Sequence, residues 1–321
     1  MNTRPATSNV EPWQAQRKPP CQLSGALFDL EEENRIFETE HIQAYRKYLS
    51  EHEAEPLKVG TAFYLVKNLL ELNKLVEIPM VEVVLMSKNS PETGVRMLNS
   101  IAHYKLDITR IALTGGEPLA PYMDAFGIDL FLSKDAADVQ RIIDNGKCAA
   151  ALIYAPPKAF HPENSRVKIA FDADAVLFSE ESELRYKKEG LDAFRKFEAG
   201  HANDSLDEGP FAKLLIKLSK IQEQLPTGIE YSPLRLAIVT ARNAPSHMRV
   251  INTLRKWGVY VDEAYFLGNL DKYRVLDAYG AHIFFDDQDV HLSKASEVVP
   301  AGKVPYKTDS EMNNLTETEA K

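Results

Sequence analysis

Residues 167–176 read VKIAFDADAV, an apolar run that ends in two aspartates separated by one alanine. The run before Asp172 has the length and the β-branched and aromatic content of a buried strand. Asp172 and Asp174 follow it, and residues two apart in an extended chain point to the same side. Because ligand crevices form at the carboxyl edge of an open parallel sheet, this stretch predicts an α/β fold with a site at that edge.

Polar residues also follow two later apolar runs, which we expect to be strands of the same sheet. One run ends at Thr240, another ends at the pair Asp286 and Asp287, and Lys272 lies between them. Alone, the threonine would be an ordinary strand residue, the lysine a surface cation and the aspartate pair a turn cap. Because all of them follow the first aspartate pair in this order, they favour a single catalytic site.

The composition is that of a globular protein that does not bind polyanions. The chain has 321 residues, 44% of them hydrophobic and 26% charged, and a net charge of -9. This acidic balance argues against a nucleic acid polymer or an anionic membrane as partner, although a local cation could still bind a small phosphorylated ligand. Only Cys21 and Cys148 are present, and no apolar run approaches the roughly 18 residues of a membrane span. We expect a cytoplasmic protein without disulfides, and the sequence leaves the subunit number open, a homo-oligomer included.

An internal repeat organises the chain. Residues 85–135 align with residues 238–288 without a gap, at a constant offset of 153 (238 − 85). Any two βα units share part of such a pattern, but a long ungapped register with matched glycines favours a duplication. The identical pairs are Arg96 and Arg249, Asn99 and Asn252, Gly115 and Gly268, Asp124 and Asp277, Gly127 and Gly280, and Phe131 and Phe284.

The repeat predicts two related halves, each built on a Rossmann-like parallel sheet, so the fold class is α/β with duplicated sheets. The first half spans 24–160, and the second half, which carries the site, spans 161–307. A helical insertion is expected at about 179–231, after the first strand of the site. The two polar ends, 1–23 and 308–321, are expected to be disordered tails.

The ordered set of carboxylates, hydroxyl and lysine resembles that of the haloacid dehalogenase superfamily. The surrounding sequence is similar to the cytosolic 5'-nucleotidase type I family over residues 24–307. The segments that carry this similarity are FDADAVLFS at 171–179, VTAR at 239–242, HIFFDDQ at 282–288 and, in the first half, ALFD at 26–29, VLMS at 84–87, GVR at 94–96 and LTGG at 113–116. The resemblance implies haloacid dehalogenase-like sheets and a cap over the crevice, formed by the helical insertion.

The resemblance also implies a function. Members of the family hydrolyse nucleoside 5'-monophosphates, of the AMP, IMP or deoxynucleotide class, to nucleoside and phosphate with Mg²⁺ as cofactor. The base preference stays open, as do two alternatives: a phosphatase of the same superfamily for other small phosphomonoesters, and a non-catalytic nucleotide sensor. The complete set of site residues in the second half argues against the sensor.

A role for each site residue follows from the same resemblance. Asp172 is expected to be the nucleophile that forms an aspartyl-phosphate, and Asp174 to protonate O5′ and then deprotonate water. Thr240 and Ala241 are expected to hold phosphoryl oxygens, and Lys272 to hold the nucleophile and the phosphate together. The expected Mg²⁺ ligands are Asp172, Asp174 through its main-chain carbonyl, Asp286 and Asp287.

The first half lacks most of these residues and is predicted to be catalytically inactive. By the offset, Leu119 occupies the position of the lysine, and Ser133 and Lys134 occupy those of the aspartate pair. Glu31 replaces the second aspartate of the DxD pair, whereas Asp29 remains, and we expect Lys134 to pair with it. Without carboxylates for a cation, this half is predicted to have a structural or regulatory role.

Overall fold

A computed structural model of the chain describes residues 24–40, 42–160, 162, 166–227, 231–268 and 270–315. Its strands are β1 (Val84–Ser87), β2 (Arg110–Leu113), β3 (Leu130–Ser133), β4 (Ala149–Ile153), β5 (Val167–Phe171), β6 (Leu234–Thr240), β7 (Glu263–Phe266), β8 (Ile283–Asp286) and β9 (Ala301–Lys303). Its α-helices are α1 (Ser24–Leu27), α2 (Glu31–Thr39), α3 (Ile42–Glu51), α4 (Phe63–Leu72), α5 (Val95–His103), α6 (Met123–Phe126), α7 (Ala136–Asn145), α8 (Glu181–Glu189), α9 (Leu191–Gly200), α10 (Ala212–Gln224), α11 (His247–Trp257), α12 (Lys272–Tyr279) and α13 (Asp289–Ala295). None of these described helices combines the length and the apolar character that crossing a bilayer requires.

The strands form one main sheet and one small sheet. β1 and β2 pair in parallel and stand apart, whereas the other seven strands follow the order β3-β4-β9-β8-β5-β6-β7. Every neighbouring pair in the main sheet is parallel except β4 and β9. The central strands β5, β6 and β8 are buried along almost their whole length, which explains why they are apolar except for Lys168, Arg235 and the polar residues at their ends.

The two halves contain the same supersecondary unit. The β1–β2 register pairs Val84 with Arg110, and the β6–β7 register pairs Ala237 with Glu263. Val84 and Ala237 are 153 residues apart (237 − 84), and so are Arg110 and Glu263 (263 − 110). This separation is the offset of the sequence repeat. The repeated sequence therefore has a matching backbone in this βαβ unit.

The matched arginine and asparagine of the repeat hold a helical hairpin in each half. Arg249 and Asn252 on α11 donate to main-chain oxygens in the segment after the hairpin α8–α9, and Arg96 and Asn99 on α5 do the same after α2–α3. The acceptors are the oxygens of Asp204 (3.2 Å) and Ala202 (2.9 Å) in the second half, and of Glu55 and Glu53 (2.9 Å each) in the first. These bonds give the identical pairs a structural reason.

The prediction of two equivalent parallel sheets is not confirmed. The segment 26–29, in which Asp29 corresponds to Asp172 at the end of the central strand β5, instead forms the end of the short helix α1 and a single antiparallel bridge between Phe28 and Val59. Its main chain bonds to the next loop instead, since Gly60 N donates to Leu27 O at 2.8 Å. Without that central strand, β3 and β4 separate from β1 and β2 and join the second half through the antiparallel pair of β4 and β9.

The helical insertion is shorter than the predicted range 179–231. Ser179 N donates to Asp207 O at 2.9 Å, so the chain has already returned to its point of departure at residue 207. The next helix, α10, buries Leu215 and Leu218 in the core that also contains side chains of the main sheet. Because α10 covers the sheet, the insertion consists of α8 and α9 and the turns around them.

The predicted C-terminal tail, 308–321, is wrong for its first part. Thr308 donates to the Asp144 carboxylate from N (2.8 Å) and from Oγ1 (2.7 Å), and Met312 is only 2% exposed. A short 3₁₀-helix, Glu311–Asn314, follows. These contacts could not be predicted from the polar composition of the segment, because each depends on a partner elsewhere in the chain. Residues 316–321 and the predicted tail 1–23 lie outside the described residues.

Candidate active site

Three carboxylates meet at the carboxyl edge of the main sheet, as the sequence predicts. Asp172 follows β5, and Asp286 and Asp287 lie at the end of the adjacent strand β8. Each offers an oxygen, and these oxygens all lie within 4.8 Å of one another. The main chain fixes the arrangement, since Asp172 N donates to Phe285 O at 2.8 Å. All three side chains are buried, so their charges are poorly solvated.

Lys272 supplies a cation to this cluster. It is the first residue of α12 and is 2% exposed. Its Nζ lies 3.0 Å from Asp172 Oδ1 and 2.7 Å from Asp286 Oδ2. Burial alone lowers the pKa of Lys272, but the charges of Asp172 and Asp286 outweigh it and raise that pKa above its usual value. The lysine therefore carries a permanent positive charge beside the predicted nucleophile.

The three carboxylates need more positive charge than the lysine supplies if all of them are to be ionised. Burial raises the pKa of Asp172 to about 8; Lys272 opposes this rise, and the charges of Asp286 and Asp174 add to it. Burial and then the charge of Glu183 raise the pKa of Asp287 well above its usual range. Asp287 Oδ1 is buried and has no hydrogen-bond partner among the described residues. Oxygen ligands, excess negative charge and an unpartnered oxygen fit a hard divalent cation such as Mg²⁺.

Asp174 lies in a turn of π-helical hydrogen bonding, Ala173–Leu177, and its side chain is not part of the carboxylate cluster. Arg242 binds it in a bidentate manner, from Nε to Oδ2 at 2.8 Å and from Nη2 to Oδ1 at 2.6 Å. Within the turn Ala175 has a φ of 56°. The expected ligation of a metal by the Asp174 main-chain carbonyl stays a prediction.

Arg242 connects the predicted acid to the helical insertion. Its Nη1 donates to Glu198 Oε2 at 2.5 Å, and Glu198, on α9, is fully buried. Arg249 Nη1 and Ser182 Oγ donate to the other oxygen, Oε1, at 2.8 and 3.0 Å. These four side chains and Asp174 form one network that joins α8, α9, α11 and the residues after β6. Arg242 belongs to one of the segments similar to the family, but no role for it is predicted from the sequence.

The predicted phosphate-binding residues lie at the same edge. Thr240 is the last residue of β6 and is buried, and its Oγ1 accepts from Arg242 N at 3.2 Å. Ala241 follows it and lines the same cavity as Asp172, Asp174 and the lysine. The structure therefore brings all the predicted site residues together around one cavity or, for Asp286, directly beneath it.

The cavity at this edge has a volume of about 830 Å³. Its walls come from the strand ends, from the helical insertion and from the C-terminal segment. Besides the predicted residues, the lining includes Tyr186, Leu191, Phe194 and Arg195 of the insertion, and Tyr306, Met312, Asn313 and Leu315 of the C-terminal segment. This volume falls within the range of small-molecule sites.

Three residues beside the carboxylate cluster were not predicted from the sequence: Glu183, Gln288 and Tyr306. The Tyr306 hydroxyl donates to Asp287 Oδ2. Gln288 Nε2 donates to Glu183 Oε1 at 2.7 Å, and burial raises the pKa of Glu183. Glu183 lies on α8 and Tyr306 follows β9, so neither has a sequence signal that points to the site. Only Gln288, next to the aspartate pair, could have been found by its position.

The matching edge of the first half has no comparable cluster among the described residues. Lys88 Nζ lies there, 3.0 Å from Asp135 Oδ2 and 2.6 Å from Asp138 Oδ2. The predicted pairing of Lys134 with Asp29 is wrong: Lys134 lies 3.8 Å from Glu31, and Asp29 Oδ1 accepts from Glu31 N at 3.0 Å. The helix α2 begins two residues after Asp29, so the Asp29 carboxylate bonds to the main chain of its first residue, Glu31, and the Glu31 side chain lies near the lysine.

Comparison with known proteins places the chain in a family. A sequence model of the 5'-nucleotidase family matches residues 23–311. The chain belongs to the 5'-nucleotidase family. It is 36% identical over 284 residues to human (Homo sapiens) cytosolic 5'-nucleotidase 1B, a match that covers 86% of this chain and 46% of that protein. The chain thus spans about half the length of this curated 5'-nucleotidase relative.

Two solved structures of the HAD domain of the Legionella pneumophila effector Lem4, one of them an inactive mutant, also match, each at 12% identity and a TM-score of 0.28. The matches cover 49% and 46% of this chain and 98% and 90% of those chains. Membership of the 5'-nucleotidase family therefore rests on the sequence comparison, and the site description rests on the geometry of the carboxylate edge.

Proposed function

We propose that this member of the 5'-nucleotidase family hydrolyses nucleoside 5'-monophosphates to nucleoside and phosphate, with Mg²⁺ and through an aspartyl-phosphate. The observation that carries the proposal is the buried cluster of Asp172, Asp286 and Asp287 with the Lys272 ammonium against two of them. A phosphate monoester is a dianion, so a carboxylate can attack it only where positive charge is concentrated.

In the proposed first step, an oxygen of Asp172 bonds to phosphorus while the bond from phosphorus to O5′ breaks, and Asp174 gives its proton to O5′. In the second step, water adds to the phosphorus of the aspartyl-phosphate, its proton goes to Asp174, and the Asp172 carboxylate leaves with inorganic phosphate released. Mg²⁺ held by Asp172, Asp286 and Asp287 would supply positive charge opposite the phosphoryl oxygens. Thr240 and Ala241 would donate hydrogen bonds to those oxygens, the former from its hydroxyl and the latter from its main chain.

The ion pair with Arg242 constrains how Asp174 can act. Both carboxylate oxygens accept from the guanidinium, so the oxygen that holds the proton for O5′ must either use its second lone pair or exchange its bond to Arg242. Glu198 offers Arg242 a second carboxylate, already bonded at 2.5 Å, that would keep the guanidinium in place during this exchange. Arg242 is therefore proposed as a positioning residue for the acid and base.

The cavity favours a nucleotide over a smaller ester. Apolar and aromatic side chains of the insertion, Tyr186, Leu191 and Phe194, line it at a distance in sequence from the phosphate-binding edge. Such surfaces suit a nucleobase, whereas a sugar phosphate offers mainly hydroxyl groups. The insertion of α8 and α9 would then act as a cap that selects the leaving group.

A phosphate-release panel tests the proposal. AMP, IMP, a deoxynucleotide, a sugar phosphate and p-nitrophenyl phosphate are assayed with Mg²⁺ and with a chelator. Hydrolysis of at least one nucleotide, abolished by the chelator, is the expected result. Preference for the sugar phosphate would favour the alternative phosphatase, and nucleotide binding without phosphate release would favour the sensor.

A matched pair of variants tests the nucleophile. Asp172→Asn is expected to lose more than about 10³-fold in activity while staying folded, because it removes the attacking oxygen with little change in volume. Asp29→Asn changes the corresponding residue of the first half and is expected to keep full activity. Turnover by Asp172→Asn near the wild-type rate would exclude the covalent mechanism.

A further inference from the structure

The C-terminal strap, defined here as residues 303–315, runs from β9 to the first half of the chain. Gln140 Nε2, on α7, donates to Tyr306 O at 2.8 Å. Two residues later, Thr308 donates twice to Asp144 at the end of α7, from N at 2.8 Å and from Oγ1 at 2.7 Å. A carboxylate that accepts two such bonds fixes both the position and the direction of the strap.

The strap then reaches the helical insertion. Ser310 Oγ donates to Glu180 Oε1 at 2.7 Å, directly before α8. Lys188 on α8 bonds to Glu311. Met312 is buried, which adds an apolar anchor to the polar ones. The strap thus bridges the first half and the insertion across the mouth of the candidate site.

One side of the strap lines the cavity. Tyr306 bonds to the carboxylate of Asp287 in the cluster, and Met312, Asn313 and Leu315 line the same cavity further along the strap. The strap therefore extends from the proposed metal site to the part of the cavity lined by the insertion. A mononucleotide has the same order of chemistry, with a phosphate at one end and a flat aromatic base at the other.

We propose that the strap is a wall of the nucleoside subsite, and that the first half contributes to the reaction by holding this wall through Asp144. The inference rests on the proposed function, since it assigns the nucleoside part of that substrate. The proposal predicts that weakening the strap lowers kcat/KM for nucleotides more than for a phosphate ester without a nucleoside. The reason is that the phosphoryl group is bound at the sheet edge and not by the strap. The proposal also gives a role to a half that has lost its own carboxylate cluster.

Asp144→Ala tests the anchor at a residue that lines neither the cavity nor the carboxylate cluster, and it also removes the bond from Gln140 Nε2 to Asp144 Oδ1 at 2.9 Å. The kcat/KM for AMP or IMP is expected to fall about tenfold, mainly through KM, because the wall loses two hydrogen bonds to a charged group. The kcat/KM for p-nitrophenyl phosphate is expected to stay close to the wild-type value. Asp124→Ala is the matched control, since Asp124 is an exposed aspartate of the same half whose carboxylate pairs, among the described residues, with the exposed Lys147. It should leave both substrates unchanged.

A second variant and a binding measurement keep the test independent of folding and of turnover. Leu315→Ala shortens a cavity-lining side chain and should reproduce the selective loss. Calorimetric binding of AMP is measured with Asp172→Asn, alone and combined with Asp144→Ala, and the affinity is expected to fall about tenfold in the double variant. The strap proposal would be overturned by equal losses of kcat/KM for AMP and for p-nitrophenyl phosphate in Asp144→Ala. It would also be overturned by equal AMP affinities of Asp172→Asn and the double variant, or by the absence of AMP binding to Asp172→Asn. Failure of the wild type to release phosphate while AMP still binds more weakly to the double variant would refute the proposed hydrolysis alone.

Discussion

The buried Arg242 network leads to a quantitative stability prediction. Arg242 is 4% exposed and makes three hydrogen bonds to carboxylates, two with Asp174 and one with Glu198. Replacing it with alanine removes all three bonds and leaves space where the guanidinium was. Breaking a fully buried ion pair by removing one partner typically costs about 3–5 kcal/mol.

For Arg242→Ala we expect a loss in the free energy of unfolding somewhat below this range, because the two carboxylates keep other partners or can be hydrated. Glu198 keeps Arg249 at 2.8 Å and Ser182 at 3.0 Å, so its charge stays paired. The side chain of Asp174 is 17% exposed and can be hydrated once Arg242 is removed. We therefore expect Arg242→Ala to reduce the free energy of unfolding by about 2–4 kcal/mol.

Arg110→Ala is the matched control. Arg110 pairs with Glu82 at 2.7 Å, as short as the bonds of the network, but the two side chains are 55% and 46% exposed. Exposed pairs contribute about 0–1 kcal/mol, so this variant is expected to lose no more than that. The comparison separates the effect of burial from that of removing an arginine.

Urea denaturation followed by tryptophan fluorescence measures both variants. Trp257 packs against Phe178 at 5.3 Å between ring centroids and reports on the second half, and Trp13→Phe leaves it as the only tryptophan. The Arg242→Ala midpoint should fall well below that of the control, with an unchanged slope. Equal midpoints for Arg242→Ala and Arg110→Ala would refute the reasoning, because the network would then contribute no more than a surface pair.

Three further outcomes are expected. Gly209→Ala should destabilise the protein by about 3 kcal/mol in thermal melts, because the added methyl group collides with main-chain carbonyl oxygens. Gly200→Ala is the control: its surroundings are open, so stability should change by less than about 1 kcal/mol. Burial raises the pKa of Cys148 to about 12, so at pH 8 the thiol stays protonated. In a Cys21→Ser background a thiol reagent should label it only on unfolding, and rapid native labelling would contradict its burial. Asp29→Asn should release phosphate at the wild-type rate in single turnover, and loss of that chemistry in folded protein would place the nucleophile in the first half.

Local sequence patterns were sufficient to predict which residues meet at the carboxylate edge. The strands that end at Thr240, at Asp286 or directly before Asp172 are mostly apolar because both faces of the sheet are covered, and each of these polar residues marks the end of its run. The repeat likewise predicted the βαβ unit, because the same spacing of apolar residues and glycines produces the same backbone. These features depend on neighbours in sequence, so the chain itself determines them.

The tertiary structure alone decided how the halves join and what surrounds the site. The antiparallel pairing of β4 with β9, the bidentate bond of Arg242 to Asp174 and the anchoring of Thr308 on Asp144 all link residues far apart in sequence. The last of these spans 164 residues, and neither partner has an unusual local context. A polar side chain in a sequence shows what it can bond to but not which group will face it. That choice is made only when packing of the apolar core fixes the distances between the elements.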